Sequence, residues 1–378
     1  MTAAGPPPGP LHDLRVIDIS TVLAGPACAK YLADFGADVI KVERPGAPDS
    51  TRQMGWRDPR DGETFLSKIT NRGKRTVELD LKRDPDADLL RQLCDTADVL
   101  VENFRPGKLE ALGLDPDDLI ARNPRLVVVR VTGFGQDGPY ASRPGFATVA
   151  EAMSGLAAIS GEPDGAPMLP PIALTDEVTG LVAAFATMVA VHSGVGQVVD
   201  VSLLESMFQM MGPLISTYIA TGELQERLGS GIAYSVPRNT YLTADGHWVA
   251  VSASSEAVGL RAMTLIGLGD DERFSTFAGR VAHRDIIDEH MTSWISQRSR
   301  QEVFDEFEAA QVAVAPIYTM ADVADDPHYR ARGIIEEVDG VSMQGLVARL
   351  SRTPGSIRWA GRRPGADTDE VLRDLVAD

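Results

Sequence analysis

Residues 15–43 alternate between two apolar runs and one amphipathic segment, and this alternation limits the possible fold more than any other feature. RVIDIS (15–20) and DVIKVE (38–43) have the β-branched, apolar composition of buried strands. Between them, AGPACAKYLADFGA (24–37) has a proline near its start and a glycine near its end, as helices do. The succession of strand, helix and strand predicts a βαβ unit with two parallel strands.

The same alternation continues through the next ninety or so residues, as expected of repeated units of about this length. We predict a helix near 84–97, a strand at 98–103, helical pieces within 106–122 and a strand at 126–134. Strands that alternate with helices favour a parallel sheet with helices on both faces. The fold class predicted from this pattern is therefore α/β.

The second half of the chain changes character at about residue 225. Before it, apolar positions at helical spacing predict a helix over 177–192, followed by a short strand and a methionine-rich helix. After it, turn residues separate strand-like runs, and helical patterns then follow at 255–268, 283–297 and 300–310. This change predicts a second, smaller α+β domain.

Charge excludes several classes of partner. The chain carries a formal net charge of −18 and has an isoelectric point near 4.8. Such an acidic surface disfavours binding to nucleic acid or to anionic lipid. The most apolar stretch, LVAAFATMVAV (181–191), is too short to span a bilayer. We therefore expect a soluble protein that binds neither nucleic acid nor membrane.

Two cysteines, Cys28 and Cys94, rule out a disulfide framework and a cysteine metal site. We interpret both as small packed residues and expect a reducing, cytoplasmic location. The motifs GxGxxG, GxxxxGK[ST] and HExxH are missing, and the six histidines show no ligand spacing. The sequence therefore predicts neither a nicotinamide cofactor nor a metal ion.

Basic residues cluster in spite of the acidic composition. IKVER (40–44), NRGKRTVELDLKR (71–83) and ENFRPGK (102–108) each hold several lysines and arginines. Residues at the ends of parallel strands face the crevice in which ligands bind, and Arg or Lys there suits phosphate groups. A solvated charged face explains any one of these residues equally well, so both interpretations stay open.

Asp176 in LPPIALTDEVTG (169–180) has two possible roles. Aspartate is a preferred N-cap because its side chain accepts hydrogen bonds from the first N–H groups of a helix. An apolar helical segment follows Asp176 directly. A carboxylate can also act as a nucleophile that forms a covalent acyl intermediate. The residue type alone does not separate the two roles, and both hold if the nucleophile lies at a helix terminus.

Several segments together resemble the class III CoA-transferases, the group typified by formyl-CoA:oxalate and carnitine CoA-transferases. The resemblance runs from about residue 11 to residue 376 and keeps the motifs in their order. The segments that carry it are VLAGPACAKYLADFGADVIKVERPG, NRGKRTVELDLK, ENFRPGKLEALGL, VTGFGQDGPYASRPGF, AMSGL, the PP-x4-D segment that ends at Asp176, and VAVAPIYTMADVADDPHYRARG.

This resemblance implies an architecture. It predicts a Rossmann-like large domain built from both ends of the chain, residues 11–224 and 331–378, with a small α+β domain at 225–330 between them. It also implies two identical subunits interlocked like links. The expected substrates are an acyl-CoA and a free carboxylic acid, and no tightly bound cofactor is expected.

The resemblance also assigns roles to individual residues. Asp176 matches the catalytic aspartate, whose carboxylate attacks the thioester and forms first an anhydride and then an aspartyl-CoA thioester. For coenzyme A binding, the matching positions are Arg44 at the nucleotide end, Leu79 and Lys82 at the adenine, and Asn103, Phe104 and Arg105 along the channel. We further expect backbone N–H groups of GSG (229–231) to stabilise the oxyanion.

Some positions depart from the pattern of the family. Leu23 replaces a glutamine that contacts the small substrate in the formyl-CoA enzyme, which argues against oxalate as acceptor. Ala147 stands where many relatives have aspartate, and Ala111 or Leu112 where some have a second basic contact to coenzyme A. These departures predict weaker coenzyme A binding or contacts made by other residues.

Two other functions remain open at the level of sequence. The same fold includes α-methylacyl-CoA racemases, which exchange an α-proton between a histidine and an aspartate. Phe146 stands where the racemases have that histidine, and phenylalanine exchanges no proton. The third possibility is a catalytically silent protein that only binds coenzyme A, although the presence of Asp176 argues against it.

Overall fold

A single parallel sheet organises the larger part of the chain. The computed structural model describes residues 9–377, except the side chains of 376 and 377. All neighbouring strands of this sheet pair in parallel, in the order β3-β2-β1-β4-β5-β6. This is the order of the doubly wound Rossmann fold, in which the direction of winding reverses between β1 and β4. The strands are β1 (Arg15–Asp18), β2 (Asp38–Glu43), β3 (Lys74–Glu78), β4 (Val99–Glu102), β5 (Val127–Thr132) and β6 (Gln197–Ser202).

Helices cover both faces of this sheet, as the pattern predicts. They bury neighbouring strand residues on opposite sides, so that Val16 joins one apolar cluster and Ile17 the other. Continuous apolar strands are typical of parallel sheets buried on both faces. The helices between β1 and the end of this part of the chain are, in order, α1 (Ala24–Asp34), α2 (Phe65–Thr70), α3 (Asp84–Asp95), α4 (Pro116–Arg122), α5 (Ala147–Met153), α6 (Leu156–Ile159), α7 (Leu174–Ser193) and α8 (Leu203–Gln209).

The antiparallel part of the fold forms a second sheet with its own core. In it β7 pairs with β8 and β8 with β9, and the helices pack around side chains such as Phe274 and Phe307, both at most 1% exposed. Its elements are α9 (Leu214–Thr221), β7 (Arg238–Leu242), β8 (Trp248–Ser252), α10 (Glu256–Leu265), α11 (Phe277–Ala282), α12 (Arg284–Ile295), α13 (Arg300–Ala309), β9 (Ala313–Pro316) and α14 (Met320–Asp325).

The C-terminal segment returns to the large sheet. After α15 (Pro327–Ala331), β10 (Ile335–Val338) and β11 (Val341–Gln344) form an antiparallel hairpin, and α16 (Thr368–Ala377) ends the described chain. Asp367 joins this segment to β3 through two hydrogen bonds: its N–H donates to the carbonyl of Thr76, and its carboxylate accepts from the Thr76 N–H at 2.8 Å. The edge strand β3 is therefore covered by residues from the far end of the sequence.

The chain divides into two compact units. The first comprises residues up to Leu156, Pro170–Gly212 and the residues from His328 onward; the second comprises Ala157–Leu169 and Pro213–Pro327. The division differs from the predicted one in three places: residues 157–169 group with the second unit, that unit starts again at Pro213 instead of 225, and the first unit resumes at His328 instead of 331. The apolar helix α9 reads in sequence as a continuation of α8, which explains the later predicted boundary.

Most predicted elements are present, but one observed strand was not predicted and one helix begins earlier than predicted. The strand β3 escaped prediction because Lys74 and Arg75 made its segment look like a charged surface. The helix predicted to follow Asp176 in fact begins at Leu174. That helix, α7, is long and apolar enough by length and composition to cross a membrane, although the 181–191 stretch alone is not; buried core helices of soluble proteins share these properties.

Candidate active site

A cavity of about 200 Å³ lies at the carboxyl edge of the parallel sheet. Its walls come from the residues that directly follow β1 and β4, between which the winding reverses, and from the ends of β2 and β3. Ligands of doubly wound folds bind at this edge, next to the point of reversal. The lining residues are Ile19, Thr21, Val42, Glu43, Arg44, Ala47, Pro48, Asp49, Leu79, Asp80, Leu81, Lys82, Phe104, Lys108 and Leu112.

Four of the six residues predicted to bind coenzyme A line this cavity. Leu79 is buried and supplies an apolar wall, and Phe104 is half-buried opposite it. The side chain of Arg44 is half exposed, with its Nε 3.4 Å from an oxygen of Asp80, and Lys82 is exposed at the rim. An apolar floor with cations at the mouth suits a flat aromatic ring that carries phosphates.

The other two predicted residues, Asn103 and Arg105, do not line the cavity. The Asn103 side chain instead joins the loops after β4 and β1, since its Oδ1 accepts from the Thr21 N–H at 2.8 Å and its Nδ2 donates to the Thr21 carbonyl at 2.6 Å. Arg105 is exposed. The structure therefore gives Asn103 a supporting place, while the role of Arg105 stays a prediction.

The turn between β1 and α1 is strained at Val22. This residue has a φ of +68°, an unusual conformation for a β-branched side chain that costs of order 1–3 kcal/mol. The Val22 N–H donates to the Asp49 carboxylate at 3.1 Å, and Thr51 donates to the same carboxylate through its N–H and its hydroxyl. Leu23 follows as a buried residue at the start of α1. Asp49 thus holds the turn in a conformation that the chain would not adopt alone.

Part of the basic cluster is buried beneath this turn instead of facing a ligand. Lys41 and Lys74 are fully buried, and their ammonium groups lie 3.6 Å and 2.8 Å from the Asp18 carboxylate. Burial alone would raise the pKa of Asp18, but the two lysines outweigh it and lower that pKa. Burial lowers the pKa of Lys74 to about 8. The phosphate-binding interpretation is therefore wrong for these two lysines, which neutralise a buried carboxylate.

Arg72 and Arg75 also serve the fold. Arg72 forms a two-point ion pair with the buried Asp34, at 2.9 Å and 2.6 Å. Arg75 forms a similar pair with Asp38 at 3.0 Å and 2.6 Å. Arg72 precedes β3 and Arg75 lies near its start, whereas the cavity is lined by the residues that follow this strand. Of the basic residues in these segments, Arg44, Lys82 and Lys108 are the cations that line the cavity.

Asp176 lies in the first turn of α7, where the next residue, Glu177, contacts α1. The N-cap of α7 is Ala173, so Asp176 occupies the third helical position, and the structure records no capping hydrogen bond. The capping role predicted for Asp176 is therefore wrong, because the helix begins two residues earlier. Gly180, one turn further on, packs on Ala24 and Ala27 at the start of α1. The carboxylate thus lies in the part of α7 that packs against α1.

The surroundings of Asp176 favour its neutral form. Burial, then the negative charges of Glu151 and Glu177, raise the pKa of Asp176 to about 6. This direction is opposite to the effect of a helix N-terminus, which favours a carboxylate anion. At neutral pH the carboxylate is still mostly ionised, and a raised pKa makes it more basic than an exposed aspartate.

The two flanking glutamates have different partners. Glu151 of α5 is 3% exposed and accepts a hydrogen bond from the Thr175 hydroxyl at 3.0 Å. Glu177 accepts from Lys30 and Tyr31 of α1. Sequence reasoning missed Glu151 and Glu177 because nothing in their spacing separates them from surface carboxylates. The packing of α5 against α7 brings Glu151 to Asp176, whereas Glu177 is the next residue of α7 and its side chain is held by α1.

The predicted oxyanion donors are partly engaged elsewhere. The N–H groups of Gly229 and Gly231 donate to the carbonyls of Gly161 and Leu228, at 2.9 Å and 2.8 Å. These two glycines therefore stabilise their own loop, and the prediction is wrong for their N–H groups. The segment lines a separate cavity of the second unit, above the β7–β8–β9 sheet.

The cysteines have the packed role predicted for them. Cys28 and Cys94 are at most 1% exposed, and burial raises the pKa of each thiol to about 12. Thiols in this state are poor nucleophiles. Within residues 9–377, apart from the side chains of 376 and 377, no three His, Cys, Asp or Glu side chains are grouped so as to hold a metal ion.

Sequence comparisons identify relatives along nearly the whole chain. Succinyl-CoA–D-citramalate CoA-transferase of Chloroflexus aurantiacus is 37% identical over 382 residues, which cover 98% of this chain and 95% of that protein. Succinate–glutarate CoA-transferase of Agrobacterium fabrum is 35% identical over 387 residues, covering 97% and 96%. Both alignments include the two units of the present fold.

A solved structure agrees with the fold. A CaiB/BaiF family protein from Brucella suis superimposes with a TM-score of 0.85 at 32% sequence identity, covering 97% of this chain and 100% of that one. The sequence model of CoA-transferase family III matches residues 11–369. With the Rossmann order of strands and relatives of this identity, the match is decisive, and the chain belongs to CoA-transferase family III.

Proposed function

We propose that this CoA-transferase moves coenzyme A between succinyl-CoA and a second short dicarboxylic acid, through covalent intermediates on Asp176. The observation that carries the proposal is the carboxylate of Asp176, which has no hydrogen-bond donor among the residues that the structure describes and lies in the first turn of α7. The two relatives described above support the substrate class, since both are named for a succinyl or succinate substrate and a second dicarboxylic acid.

The proposed reaction has two symmetrical halves. The Asp176 carboxylate attacks the thioester carbonyl of succinyl-CoA, which gives a mixed anhydride and the thiolate of coenzyme A. The thiolate attacks the aspartyl carbonyl, releases succinate and leaves an aspartyl-CoA thioester. The carboxylate of the second acid then attacks this thioester, and the released thiolate attacks the new anhydride at the acyl carbonyl, which regenerates Asp176. Covalent catalysis of this kind divides one difficult exchange into easier steps.

The residues around Asp176 suit its role as nucleophile. It must be ionised to attack, and a pKa of about 6 leaves most of the molecules ionised at pH 7 and above. A buried carboxylate has already lost part of its hydration shell, and it therefore reacts more readily than a fully solvated one. In the proposal, Arg44, Leu79, Lys82 and Phe104 hold the nucleotide end of coenzyme A in the cavity described above.

The assembly is proposed to be a homodimer. One face of α7 presents Leu181, Phe185 and Val189, which are 40%, 72% and 56% exposed. Their spacing of four residues makes a continuous apolar stripe on the surface of the chain, and such stripes mark contact surfaces. A second copy of the chain is the partner implied by the resemblance, which predicts interlocked subunits. The protein is further proposed to act in the cytoplasm without a tightly bound cofactor.

The racemase alternative lacks a proton-transfer partner for Asp176. Phe146 is 66% exposed at the start of α5, and its ring has no titratable group. The relatives described above are CoA-transferases. Turnover accompanied by exchange of an α-proton with deuterated water would reverse this preference.

The first experiment is peptide mass spectrometry after incubation with a panel of acyl-CoA donors. With succinyl-CoA, we expect a coenzyme A adduct on Asp176 that hydroxylamine converts to the hydroxamate. Butyryl-CoA, which lacks the distal carboxylate, is the matched control and is expected to give little adduct. No adduct with any donor, in spite of measured coenzyme A binding, would refute the covalent mechanism.

The matching activity experiment uses Asp176→Asn, which keeps the shape of the side chain and removes its charge. We expect loss of exchange by at least a factor of roughly 1,000, since an essential nucleophile is removed. Binding of coenzyme A, measured by calorimetry, should stay within about 3-fold of wild type. Substantial exchange by a carefully purified variant would contradict the assignment.

A further inference from the structure

Two neighbouring side chains of α1 contact the residue that follows Asp176. The ammonium group of Lys30 lies 3.3 Å and 3.1 Å from the two oxygens of Glu177. The Tyr31 hydroxyl donates to one of these oxygens at 2.6 Å. Consecutive side chains of a helix point in directions about 100° apart. Lys30 and Tyr31 therefore reach the same carboxylate only because Glu177 lies between them. Glu177 is therefore held against α1 from two sides.

The Lys30 side chain is itself fixed. Only 7% of it is exposed, and its ammonium group lies 4.4 Å from the centre of the Tyr31 ring. A lysine that is almost fully buried keeps its charge only if a partner compensates it. Glu177 is that partner, and at 40% exposure its own side chain is free to turn toward solvent if the contact is lost. The three side chains form what we call the α1 clamp: Lys30, Tyr31 and Glu177.

The α1 clamp lies within a group of negative charges. Asp176 is adjacent to Glu177 on α7, and Glu151 faces both from α5. Among the residues whose side chains the structure describes, Lys30 is the cation that forms an ion pair with this group. The other charged residues on elements packed against α7 have partners of their own: Asp34 on α1 with Arg72, Asp200 on β6 with the Gln136 N–H, Glu205 on α8 with Ser202, and Arg130 on β5 with Glu102 and Glu110.

We propose that Lys30 and Tyr31 are positioning residues, which keep the Glu177 carboxylate compensated and turned toward α1 so that Asp176 can carry a negative charge beside it. The proposal rests on the proposed function, because it concerns the ionised form of Asp176 that attacks the thioester. It assigns no contact with substrate to any member of the α1 clamp. Lys30 acts on the reaction only through Glu177.

The consequence is a defined change in the pH dependence of the reaction. Without the Lys30 charge, Glu177 adds an uncompensated negative charge next to Asp176, and a like charge makes ionisation harder. The acid limb of the kcat/KM profile, which starts near pH 6 if Asp176 controls it, should move upward by roughly 0.5–1 pH unit. A residue that only supports the fold would lower the rate at all pH values and leave the limb in place.

The test uses four variants with succinyl-CoA and the acid that the wild-type enzyme uses best. We expect Lys30→Met to move the acid limb upward, Lys30→Arg to leave it within about 0.2 units, and Glu177→Gln to move it downward. The double variant Lys30→Met/Glu177→Gln should return to the wild-type position, because both charges are gone. An upward shift that persists in the double variant, or an unchanged limb in Glu177→Gln, would overturn the proposal.

A second measurement does not depend on turnover. Water-soluble carbodiimides react with protonated carboxyl groups, so the pH at which Asp176 becomes resistant to labelling reports its ionisation. Peptide mass spectrometry of the same variants should show this labelling pH shifting in the same direction as the acid limb. If Lys30→Met does not fold, Glu177→Gln provides the test. If the labelling shifts but no variant or wild-type protein transfers coenzyme A, the proposed function fails and the α1 clamp stands. If transfer occurs without any shift, the α1 clamp fails alone.

Discussion

At the scale of single residues, the position of Asp176 matters as much as its identity. In the third position of α7, its side chain does not cap the helix, and burial beside two other carboxylates opposes its charge. A raised pKa means that the folded protein binds the proton of Asp176 more tightly than the unfolded chain does. The ionised carboxylate that the proposed reaction needs therefore lowers the stability of the fold.

This argument predicts that Asp176→Asn stabilises the protein in a defined pH range. The folded-state pKa of about 6 lies above the ordinary aspartate value of 3.8, so the cost of ionisation is absent below about pH 4 and complete above about pH 7. We expect the variant to exceed wild type by roughly 1–3 kcal/mol at pH 8 and to equal it at pH 4. Urea unfolding at the two pH values measures this, and equal stability at pH 8 would contradict the raised pKa.

Arg105 allows a separate test at the residue scale. If it contacts a phosphate of coenzyme A, the contact is equally strong in the ground and transition states, so it affects KM more than kcat. Arg105→Ala should therefore raise the KM for acyl-CoA roughly 3- to 10-fold with little change in kcat. The control is Arg122→Ala, which removes a comparable exposed arginine at the end of α4. Arg122 pairs with Asp95. An unchanged KM in Arg105→Ala would remove this residue from the site.

At the scale of secondary-structure elements, the close packing of α1 on α7 places Asp176. Gly180 permits this approach, because a Cβ at that position would lie 2.6 Å from the Ala27 Cβ and 3.2 Å from backbone atoms of α1. The helices therefore meet at the start of α1, next to the strained turn at Val22. Small residues on both helices permit the close approach at this point.

Gly180→Ala tests this packing. Alanine favours a helix over glycine by about 1 kcal/mol, but a Cβ that meets backbone forces the helices apart. We expect the steric effect to dominate and the variant to lose roughly 1–3 kcal/mol in stability, with a clear loss of kcat. The double variant Gly180→Ala/Ala27→Gly removes the nearest clash and should recover part of the stability. A single variant more stable than wild type would show that the helices are not in close contact.

At the scale of the whole molecule, the first unit is assembled from three segments of the chain. Residues from His328 onward return to it, and the Trp359 indole N–H donates to the Lys74 carbonyl of β3 at 2.9 Å. Contacts between residues nearly 300 positions apart make this unit slow to assemble, because long loops must close first. The exposed stripe of α7 belongs to the same unit and is available to a second copy.

The proposed homodimer makes a prediction for this stripe. Phe185→Asp places a charge in the middle of the apolar stripe, and burial of an unpaired carboxylate in an interface is costly. We expect wild type to be dimeric and the variant to be largely monomeric at micromolar concentration, as measured by analytical ultracentrifugation. Met320→Asp, which charges an equally exposed apolar residue elsewhere, is the control. A monomeric wild type would contradict the proposed assembly.

The sequence by itself determined the α/β class, the element order around the βαβ units and the nature of Asp176 as a candidate nucleophile. Periodicity reports local burial, and family motifs keep their order along the chain, so neither needs tertiary contacts to be recognised. Four residues of the predicted coenzyme A site, Arg44, Leu79, Lys82 and Phe104, also line the observed cavity.

Only the tertiary structure decided which charged residues line the cavity and which form ion pairs within the fold. Lys41, Lys74, Arg72 and Arg75 look alike in sequence to Arg44 and Lys82, yet they pair with buried or half-buried carboxylates brought from other segments. In the same way, Glu151 and Lys30 reach the neighbourhood of Asp176 through the packing of α5 and α1. The physical reason is that burial and electrostatic neighbours depend on long-range contacts, which a pattern of residue types does not encode.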